Sequence, residues 1–370
     1  MSADLAPLFR PFECKSLKLR NRVAMAPMTR NFSPGQVPTE EVAGYYRRRA
    51  EGEVGLLITE GTTVGHPGAP GHDSVPAFHG EAALNGWKEV VRQVHAANGA
   101  IIPQLWHVGG PRRPGVGPDK DAPGYSPSGL FKPGKPNGEA MTLKDIQDVI
   151  QAFADSARAA KEIGFDGVEI HGAHGYLLDQ FFWEGTNQRD DQYGGSLENR
   201  ARFGVEIVEA VRAAVGEDFA IVLRFSQWKQ QDYEARLAET PEELERFLTL
   251  FTDAGVDVFH ASTRRFWTPE FEGSDLNLAG WTRKLTGKPV ISVGSVGLDD
   301  DFIGANNQGI GGNANPKGIE DLAKRMAADE FDLIAVGRAL LQDPNWLVKM
   351  RNGQHDEIEP FTKAALGSLS

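Results

Sequence analysis

Short runs of β-branched and other apolar residues alternate along the chain with longer stretches in which apolar residues recur every three or four positions. The first pattern is typical of buried strands and the second of amphipathic helices. Eight such runs predict strands, over Val23–Met28, Val54–Thr59, Ala100–Leu105, Gly167–His171, Ala220–Phe225, Asp257–His260, Val290–Val293 and Leu333–Val336. Eight strands alternating with helices fit a closed parallel barrel better than an open sheet. We therefore predict an α/β fold, a (β/α)8 TIM barrel that residues 1–370 form as a single domain.

The starts of the predicted helices support this assignment. Thr142, Ser196 and Thr240 each stand directly before a helical pattern, with acidic or polar residues in the turn that follows. Such side chains cap the first free N–H groups of a helix. The sequence therefore predicts helices that begin at these three positions.

Several stretches depart from the repeat. The N-terminal segment 1–20 alternates enough to predict a small hairpin that closes the bottom of the barrel. Segments 111–139 and 262–275 follow predicted strands, and we expect active-site loops there, because barrel enzymes build their sites at the C-terminal ends of strands. Segment 111–139 is rich in proline and glycine and predicts a long ordered loop without strands or helices. The Gly/Asn-rich segment 304–315 predicts a mobile loop, and 353–370 a C-terminal tail.

Composition narrows the class of protein. The net charge of −12 argues against a nucleic acid or an anionic membrane as a partner, because both require a basic face. Cys14 is the only cysteine, which excludes an internal disulfide and a cysteine-bound iron–sulfur cluster. No run of about 18 apolar residues predicts a membrane span. We expect a cytoplasmic protein, either a monomer or a homodimer.

One predicted strand ends in polar side chains suited to chemistry. It leads into His171, His174 and Tyr176, which would project into a pocket at the barrel mouth. The two histidines are also possible metal ligands, and His107 and His260 at other strand ends offer a third. A metal-dependent barrel hydrolase therefore stays open as an alternative at this point.

Further polar residues stand at other strand ends. Arg224 closes an apolar strand, and a buried guanidinium needs an anionic partner, either a ligand or an acid such as Glu169. Gln104 can offer a donor and an acceptor to the edge of a planar ligand, and Thr29 follows the first predicted strand. Each of these is a weak signal alone.

Glycines at the last two strand ends indicate a phosphate site. Gly294 and Ser295 follow the seventh predicted strand, and Gly337 and Arg338 follow the eighth. Barrels frequently bind phosphate at these two loops, where glycine lets the phosphate approach backbone N–H groups and arginine adds a charged donor. The alternatives are plain tight turns, or a phosphate- or sugar-binding barrel without catalysis.

Taken together in order, these motifs closely resemble the Old Yellow Enzyme family of FMN-dependent ene-reductases. The resemblance is carried by Ala26–Arg30, Glu60-Gly61, Gln104–His107, His171–Phe181, Asn187–Arg200, Leu223-Arg224 and Gly337–Pro344. It covers essentially the whole chain. The chain contains no Gly-x-Gly-x-x-Gly motif after a predicted strand, which argues against a separate NAD(P)H domain.

The resemblance implies a tightly but non-covalently bound FMN across the barrel mouth. The residues that match the family's phosphate-binding positions are Gly294, Ser295, Gly337 and Arg338. Those that match positions around its flavin ring are Pro27, Met28, Thr29, Gly61, Gln104 and Arg224. Arg224 would then stabilise the anionic reduced flavin.

The resemblance also implies the reaction, the reduction of the activated C=C bond of an α,β-unsaturated carbonyl or nitro compound by NAD(P)H. His171 and His174 would bind the substrate oxygen, hydride would pass through flavin N5, and Tyr176 would donate the proton. Nicotinamide and substrate would use one site in turn, which predicts ping-pong kinetics.

Aromatic and basic residues near the predicted mouth suggest how ligands are held there. Trp106, Phe266 and Trp267 are candidate walls of the substrate pocket, with ordinary loop packing as the alternative. Arg264 and Arg265 would favour a 2′-phosphate on the nicotinamide dinucleotide.

Overall fold

The computed structural model describes residues 4–298 and 316–370, and the predicted mobile segment 304–315 lies outside them. In chain order the strands are β1 (Phe12–Cys14), β2 (Leu17–Leu19), β3 (Val23–Met25), β4 (Leu56–Thr63), β5 (Ala100–Trp106), β6 (Tyr125–Ser126), β7 (Leu130–Lys132), β8 (Lys135–Pro136), β9 (Glu139–Ala140), β10 (Gly167–His174), β11 (Ala220–Lys229), β12 (Val258–Ser262), β13 (Val290–Val293) and β14 (Leu333–Val336). Strands β3, β4, β5 and β10 to β14 form a closed parallel barrel in that order, with β14 pairing back to β3. The predicted (β/α)8 barrel is confirmed.

The eight predicted barrel strands are all present, but several have different ends. Strand β3 stops at Met25 instead of Met28, because Pro27 has no N–H group to continue the ladder. Strands β4, β10 and β11 continue three to four residues beyond their predicted ends. In β10 a bulge between Gly172 and His174 accompanies this extension.

Helices surround the barrel. They are α1 (Glu40–Glu51), α2 (Glu81–Ala96), α3 (Leu143–Ile163), α4 (Leu177–Phe182), α5 (Leu197–Val215), α6 (Pro241–Ala254), α7 (Leu278–Thr286), α8 (Pro316–Ala327), α9 (Arg338–Gln342) and α10 (Trp346–Arg351). The side chains of Thr142, Ser196 and Thr240 accept hydrogen bonds from backbone N–H groups at the starts of α3, α5 and α6. The three predicted helix caps are confirmed. Within the described ranges, no helix is long and apolar enough to cross a membrane.

The N-terminal hairpin of β1 and β2 closes one end of the barrel. Phe12, Leu17 and Leu19 are buried and pack into one cluster with the apolar residues inside the barrel. In the turn between them, Ser16 Oγ donates to Asp166 O at 2.7 Å and accepts from Ala220 N at 2.8 Å. Asp166 and Ala220 lie where β10 and β11 begin, so the hairpin covers the N-terminal ends of the strands. The C-terminal ends of the strands are not covered by this hairpin, and the candidate site lies there.

The segment 111–139 contains strands that the sequence did not predict. β6 pairs with β9 in parallel, and β7 pairs with β8 antiparallel. Arg112, whose side chain is buried, donates to the carbonyl oxygens of Ala122, Val116 and Asp119. A single guanidinium therefore satisfies the inward-facing carbonyls of a segment that has few apolar residues to bury.

Candidate active site

A cavity of about 430 Å³ opens at the C-terminal ends of the barrel strands. Twelve of the residues predicted from the sequence line it together: Pro27, Met28, Thr29, Gln104, His171, His174, Tyr176, Arg224, Gly294, Ser295, Gly337 and Arg338. They come from segments spread over more than 300 residues, and closure of the barrel brings them to one mouth.

Four predicted site residues lie outside the cavity wall. Gly61 borders the ring of Trp106, where a Cβ atom would come within 3.1 Å of the indole. Trp106 is buried behind Tyr176, with ring centres 5.1 Å apart. Phe266 is completely buried in the hydrophobic core, and Trp267 packs against it at 5.1 Å. The expectation that Phe266 and Trp267 form the pocket wall is corrected, because the loop after β12 turns both rings towards the core.

The end of β10 presents two histidines and a tyrosine to the cavity. His174 adopts a left-handed φ of 66°, which is uncommon for a residue other than glycine. The rings of His171 and His174 lie 5.3 Å apart between centres, and that of Tyr176 lies 5.1 Å from His171. Burial lowers the pKa of both histidines well below the usual value, and the nearby charge of Arg224 lowers it further. Both imidazoles are therefore neutral at physiological pH.

Hydrogen bonds indicate where each neutral ring carries its proton. His171 Nδ1 accepts from the backbone N–H of Ala173 at 3.3 Å, so the His171 proton lies on Nε2. Ser262 Oγ accepts from Arg224 Nη2 at 3.2 Å and lies 2.8 Å from His174 Nε2. Since Ser262 Oγ accepts from Arg224, its own hydrogen is available to donate to Nε2, and this arrangement places the His174 proton on Nδ1. Each ring then keeps one N–H group.

Tyr176 is positioned by one direct hydrogen bond and by an ion pair that fixes the turn before it. Its hydroxyl oxygen accepts a hydrogen bond from Gln230 Nε2 at 3.1 Å. Burial raises the pKa of Tyr176, and the bond from Gln230 offsets part of that rise. Beneath it, the fully buried carboxylate of Asp179 accepts from Lys229 Nζ at 2.5 Å and from Gly175 N at 2.7 Å. This ion pair connects the turn before Tyr176 to Lys229, the last residue of β11, which directly precedes Gln230.

Arg224 is buried, and its Nε atom has no hydrogen-bond partner among the residues that the structure describes. Burial lowers its pKa, whereas the charge of Glu169 raises it. A structural salt bridge with an acid such as Glu169 was the alternative to a ligand contact, and these two side chains do not form one. The carboxylate of Glu169 instead accepts from Gln104 Nε2 at 2.8 Å and lies 2.6 Å from His260 Nδ1. Arg224 therefore still needs an acceptor, and the cavity is where a ligand would supply one.

The loops after β13 and β14 form a narrow corner of the cavity. Gly294 has a φ of 151°, and a Cβ atom there would lie 2.8 Å from the carbonyl oxygen of Thr263. Ser295 has a φ of 49°, and its hydroxyl oxygen accepts from Arg338 Nη2 at 3.4 Å. Glycine is thus required where the backbone must turn tightly, next to an arginine that lines the same cavity. This corner has the chemistry of a phosphate site.

The two other histidines considered as metal ligands have partners of their own. His107 Nε2 lies 2.9 Å from His66 Nδ1, and His260 is paired with Glu169. Across residues 4–298 and 316–370, no three His, Cys, Asp or Glu side chains are grouped as metal ligands would be.

Several residues of the cavity wall were not identified from the sequence. They include Trp228, Gln230, Tyr233 and Leu366. Trp228 stacks on His174 with ring centres 4.6 Å apart. The period of the sequence did not identify them, because the residues after Phe225 follow neither a continuous apolar run nor a polar and apolar alternation.

Comparison with known proteins finds similar sequences over nearly the whole chain. The family model for the NADH:flavin oxidoreductase / NADH oxidase family matches residues 7–357. An NADH oxidase of Thermoanaerobacter brockii is 33% identical over 374 residues, which cover 98% of this chain and 53% of that protein. A probable NADH-dependent flavin oxidoreductase of Bacillus subtilis is 32% identical, over 98% of this chain and 92% of its own length.

Two further comparisons concern plant proteins and solved structures. The 12-oxophytodienoate reductase 7 of rice is 41% identical over 58% of this chain and 57% of its own length. The chain thus spans little more than half the length of the first relatives that it matches. A structure of morphinone reductase in complex with tetrahydroNAD has 29% identity and a TM-score of 0.80, covering 97% of this chain and 93% of the other.

Proposed function

The chain belongs to the NADH:flavin oxidoreductase / NADH oxidase family, and from this premise we propose that it reduces activated carbon–carbon double bonds. The substrates would be α,β-unsaturated ketones and aldehydes or nitro compounds. The proposal assigns the binding of the substrate oxygen to His171 and His174, and the donation of a proton to Tyr176. The observation that carries it is that these three side chains line one cavity together with Arg224.

The family's cofactor, FMN, fits the residues of this cavity. Arg224 supplies a buried cation whose Nε atom has no partner within residues 4–298 and 316–370, and an anionic or carbonyl-bearing ring edge is a suitable acceptor. The corner at Gly294, Ser295 and Arg338 suits a phosphate group. When bound, FMN would supply hydride-transfer chemistry between reduced nicotinamide and an organic acceptor.

The two histidines would stabilise charge on the substrate oxygen. Because His171 and His174 are neutral and buried, each offers an N–H donor without a positive charge that water would have to solvate. Donors that converge on a carbonyl or nitro oxygen stabilise the negative charge that develops there during reduction. The hydrogen bond from Arg224 through Ser262 to His174 would hold the His174 ring in place.

Tyr176 would supply the proton that completes the reduction. A phenol has an ordinary pKa of about 10, and burial raises the pKa of Tyr176 further, so the hydroxyl is protonated at neutral pH. Since Gln230 donates to the hydroxyl oxygen, the hydroxyl hydrogen is left to point towards the cavity. This supports a role as general acid.

Nicotinamide and substrate would occupy the same place in turn, because both would have to enter the cavity that His171, His174 and Tyr176 line. This predicts parallel lines in double-reciprocal plots of initial rate. Intersecting lines would show that both bind at once.

The test is to separate the two half-reactions. The purified protein is expected to be yellow, to bleach with NAD(P)H without oxygen, and to regain its colour with cyclohexenone. Tyr176→Phe should slow recolouring about 10²-fold or more and leave bleaching within a fewfold of the wild type. The control is Tyr193→Phe, which removes a hydroxyl bonded to Glu206 on α5 and should alter neither step. A colourless, chelator-sensitive hydrolase would refute the proposed function, and equal slowing of both steps would refute the role of Tyr176.

A further inference from the structure

A buried carboxylate lies beneath the cavity and takes no part in the proposed reaction. Glu169 stands before His171 on β10 and is completely buried. Its Oε1 atom accepts from Gln104 Nε2 at 2.8 Å, and its Oε2 atom lies 2.6 Å from His260 Nδ1. Taking a carboxylate out of water is costly, and hydrogen-bonded partners repay that cost without adding much stability. A role other than stability would account for a charge at this position.

The contact with Glu169 fixes the direction of the Gln104 amide. The two residues are register partners in β10 and β5, so their side chains point to the same side of the sheet. Because a carboxylate only accepts hydrogen bonds, the atom of Gln104 beside it must be the amide nitrogen. The carbonyl oxygen of Gln104 is then left to face the cavity, whose wall includes this residue. Of the two ways in which the amide could be turned, Glu169 allows one.

His260 holds the same carboxylate from its other side. Burial lowers the pKa of His260, although the charge of Glu169 raises it in part, so the ring is neutral and carries one hydrogen. Since the carboxylate only accepts, that hydrogen lies on Nδ1. The Nε2 atom has no hydrogen-bond partner in the part of the chain that the structure describes. The ring therefore uses its one donor to hold Glu169, which in turn holds the amide of Gln104.

We propose that Glu169 is a positioning residue which, held by His260, keeps the carbonyl oxygen of Gln104 directed towards the flavin ring of FMN. That oxygen can accept a hydrogen bond from an N–H group on the edge of the ring, whereas a turned amide would oppose this group with N–H groups of its own. The proposal rests on the FMN binding that the proposed function requires. It adds two residues that do not line the cavity.

The test is a cycle of two substitutions. Glu169→Gln introduces an amide that can accept from His260 only by turning its own nitrogen to Gln104, which must then turn as well. Gln104→Met removes the amide that is positioned. The FMN-loaded proteins are diluted, and the dissociation constant is obtained from the fluorescence of the released FMN. We expect Glu169→Gln to raise this constant at least about tenfold in the wild-type chain and less than about twofold in the Gln104→Met chain.

A second pair of variants tests the relay from its other end, and it serves also where Glu169→Gln does not fold. His260→Asn keeps an amide nitrogen near the place of Nδ1, so the dissociation constant should stay within about threefold of the wild-type value. His260→Leu removes the donor and should raise the constant about fivefold or more, again only in a chain that retains Gln104.

The matched control is Glu206→Gln, which replaces a carboxylate bonded to Tyr193 outside the cavity wall and should leave the dissociation constant unchanged. If Glu169→Gln weakens FMN binding equally in both chains, or in neither, the positioning role is refuted while the proposed function stands. A loss with His260→Asn as large as that with His260→Leu would refute the part assigned to His260. If the wild-type protein does not bind FMN, the proposed function fails and the positioning role fails with it.

Discussion

Glu60 is a buried carboxylate that should make the stability of this protein fall as the pH rises. It lies on β4, and its Oε2 atom accepts from the backbone N–H groups of Arg30 at 2.8 Å and Asn31 at 3.1 Å. These bonds hold the turn that follows Thr29 at the cavity wall. Burial raises the pKa of Glu60 from 4.5 to about 7, although the two backbone bonds lower it in part.

The size and sign of the effect follow from this pKa. Between pH 4.5 and 7 the folded protein holds the Glu60 proton more tightly than the unfolded chain does, so folding is favoured at the acid end. The stabilisation is lost as the pH rises through 7. A rise in pKa from 4.5 to about 7 corresponds to about 3 kcal/mol of unfolding free energy. For a chain of 370 residues, this amounts to roughly 4 °C in melting temperature.

The perturbation is Glu60→Gln, which keeps an oxygen to accept the two N–H groups but cannot ionise. We expect the difference in melting temperature, variant minus wild type, to be about 3 °C larger at pH 8 than at pH 5, because a small part of the effect has already developed at pH 5. Both proteins are measured by circular dichroism with saturating FMN, and Glu245→Gln replaces an exposed carboxylate on α6 as the control. An equal difference at both pH values, or a larger one at pH 5, would refute the reasoning.

Three further predictions concern the site and its support. Gly294→Ala would bring a methyl group within 2.8 Å of a backbone oxygen, and we expect FMN affinity to fall at least about tenfold in a fluorescence titration. Lys229→Met leaves the carboxylate of Asp179 buried without its cation and should cost about 3–5 kcal/mol in urea unfolding, much of which Asp179→Leu in the same chain should restore. Gln230→Ala removes the hydrogen bond to Tyr176 and should slow only the step that reoxidises the flavin, by less than Tyr176→Phe does.

The barrel was predictable because its strands are continuous apolar runs, which the period of the sequence identifies directly. Their ends were less predictable, since an end depends on which backbone groups find partners. Strand β3 ends early because Pro27 donates no hydrogen bond, and β10 ends late because its bulge allows His174 to pair with Lys229. Both features depend on neighbouring strands.

The individual residues of the site could be predicted from the sequence, but the side chains that they contact could not. Glu169 and Gln104 are paired in the register of β10 and β5, which directs both side chains to one face, and the sequence could not specify that register. Phe266 was misassigned for a similar reason. Its backbone N–H donates to Gly294 O and its carbonyl accepts from the buried Asn277, so the loop is fixed with this ring turned inward. An aromatic residue in a loop sequence is compatible with either direction.

Leu366 shows how a contact distant in sequence completes the cavity. Arg30 is buried beside the cavity wall, and its Nη2 atom donates to the carbonyl oxygens of Ala365, Leu366 and Ser368. One guanidinium thereby fixes the C-terminal tail over the mouth of a site whose other walls come from barrel strands. The backbone N–H of the same Arg30 is held by Glu60. The turn after β3, the tail and a carboxylate on β4 therefore meet at one residue, so a change in the charge of Glu60 should act on the cavity wall as well as on stability.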